Sequence, residues 1–195
     1  MVSTESRRGQ FPNLPRIILC VSILMFTSCL FAARTNSQKS PYDVRDFGAV
    51  GDGRAMNTEA IQSAIDACAE SGGGTVFFPA GRYQTGTIHL KSHIRLHLDT
   101  GAVILGSTDL DDYPIMVCEY PSRSDRYTVR ALFWGEGLHD IAITGRGTID
   151  GQGPHFKDNR ASADEIAHLT ELLGKHGRYV PNAIFANRPF LIRLI

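Results

Sequence analysis

The sequence predicts an all-β fold, a parallel β-helix (solenoid) with a single capping helix near its start. Three observations predict it. From Ser40 onward, apolar and polar residues alternate at period two in short segments. Gly-rich turns break those segments. And one block recurs: Ile94-Arg95-Leu96-His97 through Gly101 and Ile104 is echoed by Ile141-Ala142-Ile143-Thr144 through Gly147 and Ile149.

The helix comes first. Asn57 is placed to cap it, and Glu59 lies in its first turn, where the helix dipole favours an anion. Ile61, Ala64, Ile65 and Cys68 recur at helical spacing until Gly72-Gly73-Gly74 ends the run, so a helix over Asn57 to Glu70 is predicted. Thr75-Val76-Phe77-Phe78 then reads as a strand, and Pro79-Ala80-Gly81 as a turn with φ preset by proline. Ile88 and Leu90, then Ile94, Leu96 and Leu98, place their apolar side chains on one side of each segment. With a coil of roughly 23 residues, the second copy of the repeated block falls two turns after the first. A third alternation, Phe190, Ile192 and Leu194, lies near the C-terminus. An antiparallel β-sandwich also has short strands, but it favours hairpin dipeptides between equal strands, whereas Asp52-Gly53 and Asp150-Gly151 fall within Gly-rich stretches. One segment breaks the rhythm. Ser162 and Glu165 form a capping box, and Ile166, Leu169 and Leu172 run down one face to Gly174, which predicts a helix over 162–173 in an insertion near 155–187. Surface decoration is the expected role of this insertion, ahead of substrate contact.

Composition sets limits on partners. Of 195 residues, 43% are hydrophobic and 21% charged, as in an ordinary globular protein with a core. The formal net charge is zero and no Lys/Arg run is present, so nothing in the electrostatics nominates nucleic acid or anionic lipid. At the N-terminus Arg7, Arg8 and Arg16 precede the apolar stretch Ile17 to Ala33, which gives way to polar Arg34 to Lys39. That order predicts an export signal over residues 1–33 followed by a linker over 34–41. A helix over the apolar stretch would span about 25 Å, short of the ~30 Å hydrocarbon core, which argues for a cleaved leader over a permanent span. Thr27-Ser28-Cys29 resembles the end of a lipobox. Two readings of Cys29 therefore stand, a lipidated membrane tether or one more apolar residue of the leader. Cleavage removes Cys20 and Cys29, leaving Cys68 and Cys118, too few for a disulfide framework. Cys68 shares its helical face with Ile61, Ala64 and Ile65, which favours a buried thiol over a Cys68 to Cys118 bridge.

Three stretches in this order carry a family likeness: Tyr42-Asp43-Val44-Arg45-Asp46-Phe47-Gly48-Ala49-Val50-Gly51-Asp52-Gly53, then Gly72-Gly73-Gly74-Thr75-Val76-Phe77-Phe78-Pro79-Ala80-Gly81-Arg82-Tyr83, then Ile143-Thr144-Gly145-Arg146-Gly147-Thr148-Ile149-Asp150-Gly151-Gln152-Gly153. They resemble the N-terminal region of glycoside hydrolase family 28, the polygalacturonase group. Leu98 to Gly106 followed by Ser107-Thr108-Asp109, and Arg188-Pro189 with Leu191-Ile192-Arg193, extend the likeness to most of residues 42–195 outside the insertion. The first two blocks are shared with pectate-lyase-like proteins and phage tail spikes, and the third narrows the match. The resemblance implies a right-handed β-helix and, in the complete protein, hydrolysis of α-1,4-linked galacturonate with inversion, so that pectic polysaccharide is the expected partner and a monomer the expected state. The family's catalytic motifs, Asn-x-Asp, Gly-Asp-Asp, Gly-His-Gly and Arg-x-Lys, do not occur in this sequence. No catalytic residue is therefore assigned, no substrate-binding residue is identified, no metal or cofactor is expected, and the 195-residue chain alone is expected to be inactive. Two other readings use the same scaffold: a non-catalytic polysaccharide-binding module like a tail spike, and a pectate-lyase-like enzyme, which would need a calcium site.

Several residues imitate functional motifs. Asp111-Asp112 follows Leu110 instead of Gly and precedes Tyr113-Pro114, so solvated loop acids are expected. Lys175-His176-Gly177 follows the insertion helix, with His176 expected to be exposed. His89, His93 and His97 recur every four residues, but on strand-like segments, which predicts outward imidazoles and no metal. Gly145 and Gly147 lack the surroundings of a dinucleotide loop and are read as tight corners between coils. Trp134, Phe133 and Tyr113 are read as core ahead of sugar-stacking platforms. At the C-terminal end, an apolar strand with no partner would leave edges open, and aggregation is the expected consequence.

Overall fold

The computed structural model describes residues 41–117, 129–174 and 187–195. Ser40–Ile195 forms a compact unit separate from Met1–Lys39. The expected leader over 1–33, the expected linker up to residue 40, Cys29, Cys118 and His176 lie outside the described residues. Among the described residues, no helix is long and apolar enough to cross a membrane.

The unit opens with β1 (Tyr42–Asp43), a 3-10 turn (Val44–Phe47), β2 (Asp52–Met56) and helix α1 (Thr58–Glu70). The strands β3 (Gly74–Phe78), β4 (Gly81–Thr85) and β5 (Ile88–His89) then trace three sides of a coil, and β6 (Ile94–Leu98) and β7 (Ala102–Gly106) begin the next. After a 3-10 turn at Leu110–Asp112 follow β8 (Ala131–Gly135), β9 (Ala142–Gly145) and β10 (Thr148–Asp150). A short 3-10 turn (Gly153–Phe156) leads to helix α2 (Ala163–Gly174), and β11 (Phe190–Leu194) is the last strand. These strands form three sheets, β1-β3-β6-β9, β2-β4-β7-β10 and β5-β8-β11. Among the described residues every strand pair is parallel, which excludes the hairpin-linked sandwich and gives the predicted β-helix, wound right-handed as parallel crossovers are.

Register explains the core. Val76, Leu96 and Ile143 stack in the first sheet, Tyr83, Ile104 and Ile149 in the second, and Ile88, Phe133 and Ile192 in the third. Each column is the inward half of a period-two alternation, and in the interior coils these side chains are almost fully buried. The repeated block is a true structural repeat, but its spacing differs from the prediction. β9 pairs directly with β6, with His97 and Thr144 hydrogen-bonded although 47 residues apart, so the two copies sit in adjacent coils instead of two turns apart. The interval from β3 to β6 is about 20 residues, a compact solenoid turn. The next coil is longer because the chain leaves the stack between β7 and β8.

The N-terminal end of the stack is closed by α1. Ile61, Ala64, Ile65 and Cys68 are wholly buried against the first coil, in agreement with the predicted face and the buried thiol. Gln62 completes the closure, because its Oε1 accepts from the His89 N–H at 2.9 Å and its Nε2 donates to the His89 carbonyl at 3.1 Å. A single carboxamide thus stands in for a neighbouring strand at the edge of β5. Thr58 Oγ1 accepts the Gly86 N–H at 2.9 Å in the same way. The expected capping role of Asn57 is corrected. Asn57 occupies the position before the helix, but its side chain makes no capping hydrogen bond. Its Oδ1 accepts from Val50 N at 2.5 Å and its Nδ2 donates to Ala55 O at 2.6 Å and Gln84 O at 3.3 Å, so a buried amide ties the opening loop to β4.

Helix α2 begins with the predicted capping box: Ser162 N donates to Glu165 Oε2 at 2.6 Å and Glu165 N to Ser162 Oγ at 3.2 Å. Its apolar face is rotated slightly from the prediction, with Leu169 and Leu173 buried and Ile166 and Leu172 half-buried. Leu169, Leu173 and Ile166 join Val129, Ala161, Ile115 and Val117 in a cluster separate from the main core. The two excursions from the stack therefore pack on each other.

Replacing Gln62 with Ala should remove both bonds to His89 and lower unfolding stability by about 1–2 kcal/mol, at about 1 kcal/mol net per hydrogen bond. Urea unfolding followed by circular dichroism checks this, and Gln62→Glu, which at neutral pH sets a carboxylate against the His89 carbonyl and the Asp66 carboxylate, should be no more stable than the Ala variant.

Candidate functional site

The outer faces of the sheets carry the polar columns available for recognition. In the third sheet, His89, Trp134 and Arg193 share one register position on successive coils. The Arg193 guanidinium lies over the Trp134 indole, 4.9 Å from the ring centroid. The column is graded along the axis, since His89 is exposed while Trp134 and Arg193 are 6% and 7% exposed. Met116 and Ile195 pack beside Trp134, so β8 is covered on both faces, and Trp134 is core, as read from the sequence. Phe133 and Tyr113 are likewise buried. Arg193 was not singled out from the sequence. Its signal was its place between inward Ile192 and Leu194, and this gained meaning only once the register set it beside Trp134.

In the first sheet Phe77, His97 and Thr144 form the corresponding outer column. His97 stacks on Phe77 at 5.9 Å, and its Nδ1 lies 3.0 Å from Thr144 Oγ1. At the corner entering this sheet, His93 Nδ1 lies 3.0 Å from Asp140 Oδ2 and its ring meets His139 edge-on at 4.6 Å. His93 and Asp140 both adopt positive φ, 63° and 55°, at equivalent corners of successive coils. An open groove of about 420 Å³ beside them is lined by Thr75, Arg95, His93 and Asp140. The predicted outward orientation holds for His89 and His93, which are exposed, and His97 is half-buried. Among the described residues, no three His, Cys, Asp or Glu side chains are grouped to hold a metal ion.

The acids are engaged in turns. Asp52 Oδ1 accepts from Arg54 N at 2.8 Å and Ala55 N at 2.9 Å, Asp109 Oδ1 from Asp111 N at 3.0 Å, and Asp150 Oδ1 from Gln152 N at 2.9 Å. Asp43 pairs with Arg45 and Asp66 with Lys91. The Asp111-Asp112 expectation holds for one member only. Asp111 is exposed, but Asp112 is half-buried, its Oδ2 accepts from Ser107 Oγ and its carbonyl accepts the Thr87 N–H at 3.0 Å. Asp112 braces the coil at the point where the chain leaves it. Beside it, burial pushes the Tyr113 phenol well above its ordinary range, with the Asp112 charge adding to the rise, and the hydroxyl donates to Ser107 O at 2.7 Å. Burial lowers the Arg130 guanidinium from its ordinary value, and its Nη1 donates to the Leu110 and Tyr113 carbonyls. Gly145 is a tight corner as predicted: its φ is 106°, and a Cβ there would overlap the Leu98 carbonyl.

The geometry is that of a scaffold whose polar groups hold turns and columns in place. Residues 42–109 match the family model described as rhamnogalacturonase A/epimerase, pectate lyase-like. The family 28 exopolygalacturonase of Yersinia enterocolitica superposes with a TM-score of 0.51 at 42% identity, over 58% of this chain and 21% of that one. The coils of this chain are similar to those of family 28 exopolygalacturonases. A probable polygalacturonase of Vitis vinifera is 42% identical over 118 residues, 55% of this chain and 24% of the relative. The hyperthermoactive exopolygalacturonase of Thermotoga maritima superposes with a TM-score of 0.60 at 25% identity, over 80% of this chain and 38% of that one. The chain thus spans well under half the length of these proteins.

The capping box offers a local test. The Ser162 backbone N–H and then its hydroxyl hold the Glu165 carboxyl below its ordinary value. A depressed carboxyl contributes stability that is fully present above its unfolded pKa of about 4.3 and is lost as pH falls through the lower folded value. Ser162→Ala should destabilise α2 by about 1 kcal/mol. Amide exchange across residues 163–174 should be faster in the variant at neutral pH and should stay faster in acid, because the lost bond from Glu165 N–H to Ser162 Oγ does not titrate, whereas the bond from Ser162 N–H to the Glu165 carboxylate weakens with acid in both proteins.

Proposed function

We propose that this chain forms the N-terminal coils of an exported pectin-degrading glycoside hydrolase that cleaves α-1,4-galacturonosyl links with inversion. The observation that carries this reading is the coincidence of the three family-like sequence blocks with the coil architecture. The first block forms β1, its turn and β2, the second spans β3 and the start of β4, and the third spans β9 and β10, which stack on the coils between them. Inversion requires an acid to protonate the leaving oxygen and a base to activate water on the opposite face, from carboxyls roughly 6.5–9.5 Å apart. Parallel coils suit that demand, because stepping from one coil to the next along an outer column moves a side chain by about 4.8 Å, so one and two steps bracket the required range and side-chain reach sets the separation within it. The motifs that would supply those carboxyls are not among residues 1–195. The present coils supply the frame that would fix their spacing.

The 195-residue chain should therefore release no reducing ends from polygalacturonate above a blank, since loss of the acid and base forfeits factors of about 10²–10⁴ each. Turnover by the purified chain would overturn the reading. A longer translation product that carries a Gly-Asp-Asp motif beyond Ile195 should hydrolyse the polymer and lose that activity when the motif aspartates become Asn.

Residues 1–33 serve in this reading as a cleaved export leader. Intact mass of the exported product should correspond to a chain starting near Arg34, or at a lipidated Cys29 if the lipobox reading is right. Retention of residues 1–33 would contradict both.

A further inference from the structure

The outer face of the first sheet holds charges of both signs that do not meet. Arg95 on β6 is exposed between two short neighbours, Thr75 on β3 and Ala142 on β9, and among the described residues its guanidinium makes no hydrogen bond or ion pair. Nearby cations are matched locally, Arg45 by Asp43 and Lys91 by Asp66. Asp140 lines the same groove of about 420 Å³, yet it lies beyond ion-pair distance of Arg95 and engages only its Oδ2, at 3.0 Å from His93 Nδ1. A carboxylate can only accept, so the shared hydrogen belongs to His93 Nδ1, and Asp140 Oδ1 stays open as an acceptor. Strand β6 is flanked by β3 and β9, so the exposure of its outer face does not depend on what stacks beyond β9. The backbone points the same way. Gly73, His93 and Asp140 enter β3, β6 and β9, and all three have positive φ, 98°, 63° and 55°. Glycine adopts that region freely, whereas a side chain there is strained, Asp and His less than most. The first coil uses glycine, but the next two keep side chains at the same exposed corner, where they reach each other and the groove. Strain retained where no core packing needs the side chain points to a role in binding.

We propose that this groove binds one uronate unit of a polysaccharide chain, with its carboxylate on Arg95 and its hydroxyls on Thr75, His93 and Asp140. A guanidinium holds a carboxylate through two parallel hydrogen bonds. Asp140 Oδ1 and Nε2 of neutral His93 accept from hydroxyls, and Thr75 Oγ1 both donates and accepts. A bare anion would meet the Asp140 carboxylate, and a neutral sugar would leave Arg95 unused. A sugar acid satisfies both. The groove volume falls within the roughly 300–1,000 Å³ of small-molecule sites. The uronate class is read from the groove itself, whereas the choice of galacturonate as that uronate rests on the function proposed above. Binding here breaks no bond, so it is measurable on a chain that does not turn substrate over.

Titration calorimetry of the 195-residue chain with trigalacturonate tests this, with amide chemical shifts locating the ligand. Saturable binding should shift the amides of Thr75, His93, Arg95 and Asp140. Arg95→Gln should weaken binding at least about tenfold, the effect of losing a charge-assisted pair, and Thr75→Val by a smaller factor, both with the wild-type circular dichroism spectrum. Asp140→Gly relieves the positive φ, so it should keep or raise the urea midpoint while weakening binding, a split that a purely structural role would not give. Arg82→Gln, at an exposed cation on the second sheet, should bind as the wild type does. Neutral maltotriose and inorganic phosphate should not compete at equal concentration. Three outcomes would overturn the proposal: no saturable binding at these residues, unchanged affinity in Arg95→Gln, or competition from either of those two probes. Binding of trimannuronate in place of trigalacturonate would uphold the groove and count against the pectin reading alone.

Discussion

A parallel strand ladder satisfies a strand's backbone only when it has a neighbour on each side, and this constraint governs the whole molecule. Inside the stack the condition is met coil by coil, and the side-chain columns follow because parallel pairing keeps equivalent residues at equal heights. Among the described residues no strand precedes β5 in its sheet, and there the chain substitutes a helix with chosen side chains. Gln62 is the economical part of that solution, since a carboxamide offers the same donor and acceptor pair as a peptide group and presents both to His89. The amphipathic face of α1 supplies the missing apolar layer, and Gln62 supplies the missing backbone.

The same constraint explains where the chain tolerates excursions. The stack requires that each strand return to register, but places no limit on what happens between β7 and β8 or between β10 and β11. Loop-closure entropy rises only slowly with length, so a long excursion costs little once its ends are fixed. Those ends are firmly held. Asp112 and Tyr113 anchor the departure through Ser107 and Thr87, and Arg130 ties the return to the Tyr113 carbonyl. The excursions then bury apolar surface against each other in the cluster around Leu169 and Leu173, which keeps α2 from depending on its intrinsic propensity alone.

What was legible in the sequence was local or periodic. The capping box of α2 needs residues three apart, and the buried face of α1 needs only the helical period, so both appear as read. The inward columns follow from period-two alternation, and the corner at Gly145 from the absence of a side chain where the preceding coil's Leu98 carbonyl passes. What was misread depended on distant partners. Asn57 looks like a helix cap because caps are local, yet one of its amide bonds runs to Gln84, 27 residues away, and a buried side chain that can tie the coil there gains more than one that caps an exposed turn. The repeat was detected but assigned the wrong number of turns, because a sequence period cannot separate two short coils from one coil with an excursion. Asp112 was read as solvated for the same reason, since its partner Ser107 matters only once the coil brings the two together. The Trp134–Arg193 pair is invisible until β8 and β11 are placed side by side.

The candidate site has a related logic. The carboxylates of Asp43, Asp52, Asp66, Asp99, Asp109, Asp112, Asp140, Asp150, Asp158 and Glu165 are committed to turns, caps or local polar pairs. A general acid for glycoside hydrolysis needs the opposite environment, one that raises its pKa and leaves it facing substrate. The shifted carboxyls among these, those of Asp43, Asp52, Asp66 and Glu165, move downward, each held by donors or cations of its own. Stacked coils make this division of labour natural. Coils built as a rigid frame spend their acids on corners, and reactive carboxyls belong on coils whose corners are held by other means, such as the glycines and backbone bonds that turn the chain at Gly145 and Gly147.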